Sequence, residues 1–124
     1  MTSVLVVDDE ASLRTMVQVN LAASGYEVIA ARRGEEVLAL AGAKKPDLVL
    51  LDIKMPGMSG WDVLKALKAN SRLRDIPVIV MTAFIKDSEE SRAAAIHVAS
   101  FLAKPFGIQE LLEQIRQALQ KKSL

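Results

Sequence analysis

The sequence contains no cysteine. That removes disulfides, thiolate nucleophiles and cysteine-type zinc sites together. Histidine occurs once, as His97. Nothing around it resembles a kinase or phosphotransfer motif, and a histidine near a helix C-terminus is accounted for by the helix dipole. Aromatic residues make up only 4%, so the core must be aliphatic and alanine-rich. The net charge of +1 is too small to make nucleic acid or an anionic membrane the main partner. No apolar run approaches the length of a membrane helix. The N-terminus passes from Met1 straight into Ser3-Val4-Leu5-Val6-Val7, without the basic segment and long apolar stretch of a signal peptide. A cytoplasmic setting is expected.

What is present is an ordinary globular balance, 51% hydrophobic and 25% charged over 124 residues. That length suits one domain, 1–124, with a real core. Ser3–Val7 reads as a buried strand ended by Asp8-Asp9. A helix follows with Leu13, Met16, Val17, Leu21 and Ala22 on one face and Arg14, Gln18 and Asn20 mostly elsewhere. Asp8 or Asp9 can cap it, and Gly25 stops it. Tyr26–Ala31 is a more polar, edge-like strand, and Glu35–Ala43 a second helix carrying Val37, Leu38, Leu40 and Ala41. Leu48–Leu51 is a continuous apolar run, as in strands buried on both faces, and ends in Asp52. Ser59 can cap a helix bearing Val63, Leu64 and Leu67. Asn70–Asp75 is a polar loop, and Ile76–Thr82 another apolar strand with Pro77 tolerated at its start. Ser88 caps a helix to about His97. Phe101–Ala103 is a short strand before Lys104-Pro105. The last helix carries Ile108, Leu111, Leu112, Ile115 and Leu119, and frays into Lys121-Lys122.

Five alternations of strand and helix argue an α/β fold, a parallel sheet covered on both faces. Right-handed crossovers then bring all strand C-termini to one edge, where open α/β sheets place ligands. Asp8, Asp9, Asp52, Thr82 and Lys104 converge there. Three carboxylates in one crevice repel each other unless a cation sits among them. Oxygen donors without His or Cys point to a hard ion, Mg²⁺. A lysine opposite them and a threonine hydroxyl complete a receptacle for a group both anionic and metal-binding, which describes a phosphoryl group. A carboxylate can itself be the nucleophile, forming an aspartyl-phosphate. Each residue alone has a plainer reading: Asp8-Asp9 as helix caps, Asp52 and Lys104-Pro105 as turns, Thr82 as a strand former. Four strand ends with complementary chemistry favour the joint site.

The motifs V-V-D-D-E at 6–10, L-D-I-K-M-P-G-M-S-G at 51–60, M-T-A at 81–83 and F-L-A-K-P-F at 101–106 closely resemble the receiver domain of bacterial two-component response regulators. The resemblance covers essentially residues 3–120. It implies a flavodoxin-like, doubly wound sheet in the order 2-1-3-4-5 with five helices. It also implies that Asp52 accepts a phosphoryl group from a phosphohistidine on a sensor histidine kinase or histidine phosphotransfer protein. Asp9, Asp52 and the Lys54 backbone carbonyl would ligate Mg²⁺, with Asp8 acting through water. Lys104 would pair with a phosphoryl oxygen and precede a cis proline. Thr82 would move to the phosphoryl group while Phe101, the switch aromatic, turns inward. The output surface would be the last two helices and the strand between them, read by a downstream protein partner or output domain. Such a domain is a signalling acceptor, not an enzyme turning over an external substrate.

Some positions are particular to this chain. Val98 stands where the family usually has glycine after the fourth helix, and a β-branched residue resists a left-handed cap, so that helix is expected to end differently. Lys54 and Phe84 lie two residues beyond Asp52 and Thr82 and are expected to limit water access and lengthen the life of the phosphoryl group. Ala83 is small and leaves room for the donor. Trp61 is a packing or surface residue near enough to report on the site by fluorescence.

Three other functions compete. A flavodoxin needs a hydroxyl- and glycine-rich phosphate loop after the first strand, where Asp8-Asp9-Glu10 would repel phosphate. A metal-dependent phosphatase or phosphotransferase of the haloacid dehalogenase type carries its nucleophile on the first strand with a second Asp two residues on. Here the isolated Asp52 follows the third strand. A partner-binding pseudo-receiver would not need the complete acidic, Thr and Lys set. The chain holds no DNA-binding segment, so direct binding of nucleic acid is not expected.

Overall fold

The computed structural model describes residues 1–83 and 97–123. Its elements are β1 (Ser3–Val7), α1 (Ala11–Ala23), β2 (Glu27–Ala31), a 3₁₀ turn (Gly34–Glu36), α2 (Val37–Lys44), β3 (Leu48–Asp52), α3 (Gly60–Ala69), β4 (Val78–Thr82), β5 (Ser100–Ala103) and α4 (Ile108–Ser123). The five strands form one parallel sheet in the order β2-β1-β3-β4-β5. Four α-helices thus lie among the described residues. The helix expected from Ser88 lies outside them, as does Phe84.

The sheet sorts its side chains by parity. Leu5, Val7, Val49, Leu51, Val78 and Val80 face one way and pack with Val37 and Ala41 of α2 and Val63, Leu64 and Leu67 of α3. Val4, Val6, Leu48, Leu50, Ile79, Met81 and Leu102 face the other way, against Val17 and Leu21 of α1 and Leu111, Ile115 and Ala118 of α4. The continuous apolar runs exist because each strand feeds both layers. Each fully buried Leu or Val contributes about 1.5–3 kcal/mol by leaving water.

Local chemistry sets the boundaries. Ser59 caps α3 as expected, its hydroxyl accepting the Asp62 N–H at 3.3 Å while Asp62 accepts the Ser59 N–H. Three expectations need correction. Neither Asp8 nor Asp9 caps α1: the N-cap is Glu10, and Asp8 Oδ1 accepts the Glu10 N–H at 2.9 Å in a local turn. The segment from Glu35 begins as a 3₁₀ turn before α2, and Leu38 is exposed. The helical backbone of α4 continues to Ser123 rather than ending at the lysines. Val98 is not left-handed; among the described residues Lys45, after α2, is the one non-glycine residue with positive φ. How the preceding helix ends lies outside the described residues.

Candidate functional site

Each site residue is held where its strand stops. The Asp8 N–H donates to the Ala31 carbonyl at 3.1 Å, the Ile53 N–H to Met81 at 3.3 Å, and the Lys104 N–H to Thr82 at 2.9 Å. Asp8, Asp52 and Lys104 share the parity of the layer under α1 and α4, so their side chains leave the sheet on the same side. Thr82 has the opposite parity. It pairs with Ala103, and Phe101 pairs with Val80. Thr82 and Phe101 therefore stand on the same face of neighbouring strands, two residues apart in register. The Lys104–Pro105 bond is cis, as the resemblance implied.

Asp8, Asp9, Glu10, Asp52, Lys54, Thr82, Ala83 and Lys104 line one cleft of ≈ 250 Å³. Asp8 is fully buried and Asp52 is 5% exposed, whereas Asp9 faces solvent. The Lys104 ammonium bridges the two buried carboxylates, 2.7 Å from Asp8 Oδ2 and 3.3 Å from Asp52 Oδ1. Ion pairing with these carboxylates outweighs burial and raises the Lys104 pKa. Burial pushes the Asp52 carboxyl up from 3.8 to about 6, and the charge of Asp8 adds to it, against the pull of Lys104. One oxygen from each of Asp8, Asp9 and Asp52 lies within 4.8 Å of the others. One lysine among three carboxylates leaves excess negative charge. An all-oxygen donor set with that excess fits a hard divalent cation such as Mg²⁺.

The loop after Asp52 closes on itself. The Gly60 N–H donates to the Ile53 carbonyl at 2.9 Å. A Cβ at Gly60 would strike the Asp52 carbonyl oxygen and lie 2.7 Å from Ile53 Cα, so only glycine allows α3 to start this close to β3. Met55 is buried in the layer under α2 and α3, and Gly57 takes φ +78°. Lys54 is exposed at the cleft rim.

Two residues that sequence reasoning left aside brace the backbone next to the site. Arg14, assigned there to the outer side of α1, is partly buried and donates from Nη1 to the Asp8 carbonyl oxygen at 2.8 Å. Its place one turn into the helix that follows Asp8-Asp9 was the available signal. Glu35 accepts the Met58 N–H at 2.9 Å, and no local pattern connects residues so far apart in the chain.

Residues 4–116 match the family model of the response regulator receiver domain. The polar-differentiation response regulator DivK of Brucella anthropi is 38% identical over 117 residues, covering 94% of this chain and 95% of DivK. The phosphate regulon transcriptional regulatory protein PhoB of Pseudomonas aeruginosa is 36% identical over 121 residues, 96% of this chain but 52% of PhoB. The chain thus spans about half the length of some curated relatives and nearly all of others. Among solved structures, the response regulator TrrA of Thermotoga maritima superposes with a TM-score of 0.83 at 33% identity, covering 95% of this chain and 99% of that one.

Proposed function

The chain belongs to the response regulator receiver domain family, and on that premise we propose that Asp52 is its phospho-acceptor. Receiver domains are signalling proteins that work with histidine kinases and downstream effectors. Here the donor is a phosphohistidine on a sensor kinase or histidine phosphotransfer protein. An Asp52 carboxylate oxygen attacks phosphorus, a P–O bond forms and the P–N bond breaks, its electron pair returning to the imidazole. The observation that carries this reading is the Lys104 ammonium set between Asp8 and Asp52 at the strand ends. That ammonium is placed to pair with an oxygen of the arriving group, and positioning with charge neutralisation supplies most of the catalysis of phosphoryl transfer.

Asp9, Asp52 and the Lys54 carbonyl would hold Mg²⁺, with Asp8 acting through water. The bound ion supplies positive charge beside the carboxylates and the transferred oxygens. The Thermotoga TrrA structure is a complex with Mg²⁺-BeF, in keeping with this assignment. Thr82 donates its hydroxyl to the phosphoryl group, and Phe101 follows it inward, since the two share a face of β4 and β5. Gln114 of α4 holds the same strand, donating to the Phe101 carbonyl at 3.3 Å and accepting the Ser100 hydroxyl at 2.7 Å. A shift at Phe101 therefore bears directly on α4. The surface around β5 and α4 is the readout for a protein partner or output domain. Lys54 at the rim, with Phe84, limits water access to the phosphoryl group.

We place the domain in the cytoplasm, where such kinases present their phosphohistidines; among the described residues no helix is long and apolar enough to cross a membrane. The test is transfer from a phosphorylated histidine kinase to wild type and Asp52→Asn. Label on the wild type alone supports the reading, and equal label on both defeats it.

A further inference from the structure

The loop that carries Lys54 is braced from outside the cleft. Residues 53–59 leave β3 at Asp52 and enter α3 at Gly60. Met55 is buried beneath them, and the Ser59–Asp62 capping box fixes their far end. Between these anchors the Met58 N–H donates to Glu35 Oε1 at 2.9 Å. A Cβ on Gly57 would lie 2.9 Å from that same oxygen, so the Glu35 carboxylate lies directly against the turn. The amide hydrogen bond from Met58 holds the Glu35 carboxyl below its usual range.

Glu35 is itself held. Its 3₁₀ turn packs so tightly that a Cβ on Gly34 would stand 2.7 Å from Val63 Cγ2 and 3.0 Å from the Met58 carbonyl oxygen. On the other side, Glu36 Oε1 accepts the amides of Arg32 and Arg33, each at 3.2 Å. Glu35 thus joins the turn after β2 to the middle of the loop after Asp52.

We propose that Glu35 is a positioning residue for the phospho-acceptor loop, its Met58 hydrogen bond fixing the path from Asp52 to α3 and so presenting the Lys54 carbonyl to the cation. This rests on the reading of Asp52, Asp9 and Lys54 as the cation site. Glu35 touches neither cation nor phosphoryl group. It acts by removing alternative loop conformations that binding would otherwise have to select against.

The experiment uses Glu35→Ala and Glu35→Gln in the whole chain. Mg²⁺ is titrated alone through Trp61 fluorescence, with melting temperature and Met58 amide exchange measured alongside. Glu35→Ala should weaken Mg²⁺ binding about three- to tenfold, the scale of one hydrogen bond, and speed Met58 exchange. Glu35→Gln keeps an oxygen acceptor and should restore most of both. Unchanged affinity in Glu35→Ala, or Glu35→Gln binding as weakly as Glu35→Ala, overturns the proposal. So does a loss of affinity matched by an equal fall in melting temperature in both variants. If the wild type binds Mg²⁺ but Asp52 takes no phosphoryl group, the acceptor reading fails, and the Glu35 result still stands on the metal titration.

Discussion

The Lys104 ammonium sits closer to Asp8 than to Asp52, at 2.7 against 3.3 Å. Its tighter partner is therefore the fully buried carboxylate, which also accepts the Glu10 N–H at 2.9 Å. Lys104 thus lies within ion-pair reach of both carboxylates. The shorter contact makes Lys104 an ion-pair partner of the buried Asp8 carboxylate.

Replacing Lys104 with methionine keeps the length of the side chain and removes the charge. Asp8 and Asp52 are then left facing each other, and breaking a buried pair in this way typically costs about 3–5 kcal/mol. Partial solvent access at Lys104 places the expected loss for Lys104→Met just below that range, about 2–3 kcal/mol in metal-free urea unfolding. Mg²⁺ should recover part of it. A loss below about 0.5 kcal/mol, the level of a surface ion pair, would show that Lys104 is not the cation on which the carboxylates rely.

The raised pKa of Asp52 gives a pH signature. Its carboxyl titrates at about 6 in the fold against 3.8 as the ordinary value, so the folded chain favours the protonated form. Stability from this group is fully present below the ordinary value and is lost as pH rises through about 6. Asp52→Asn has no such dependence. Its advantage over wild type in metal-free unfolding should grow between about pH 4 and 6 and level off near 2–3 kcal/mol. An advantage that stays flat across this window contradicts the account of burial.

Gly60→Ala should be among the most damaging small substitutions. The new methyl collides with the backbone of Asp52 and Ile53, and backbone cannot swing aside as a side chain can. Thermal unfolding should show a loss of about 2 kcal/mol or more, with weakened Mg²⁺ binding from displacement of Asp52. Wild-type melting would mean that α3 can start further from β3 than the structure has it.

Arg14→Ala removes the donor that fixes the Asp8 carbonyl, and with it the peptide joining Asp8 to Asp9. Mg²⁺ affinity should fall about threefold, as expected for one lost hydrogen bond in a positioning role. Arg14→Lys should recover little, because a lysine ammonium cannot reproduce the reach and planarity of the guanidinium. Full affinity in Arg14→Ala would reduce Arg14 to a packing residue.

Much of this was legible in the sequence for physical reasons. Runs such as Leu48–Leu51 have no polar face, as suits strands buried on both faces, and parallel strands deliver their ends to one edge. That brought Asp8, Asp52 and Lys104 together before any coordinate did. The order of strands came from family resemblance, since periodicity cannot choose between neighbours. What escaped was chemistry between distant backbone and side chain. Arg14 lay on the polar side of a helical pattern, yet its length lets it curl back to the Asp8 carbonyl. Glu35 reads as a surface acid because nothing in its own neighbourhood points to Met58. Asp8 was expected to share in capping α1, but its carboxylate is engaged by Glu10 and Lys104 instead.

The central claim is that Asp52 is a covalent input site. Its most direct measurement is the intact mass of the protein after incubation with acetyl phosphate and Mg²⁺, for wild type and Asp52→Asn. The account predicts one added phosphoryl group on the wild type, lost when Mg²⁺ is chelated before the reaction, and none on Asp52→Asn. Equal addition to both proteins, or repeated turnover of acetyl phosphate with no adduct at any time, would contradict it.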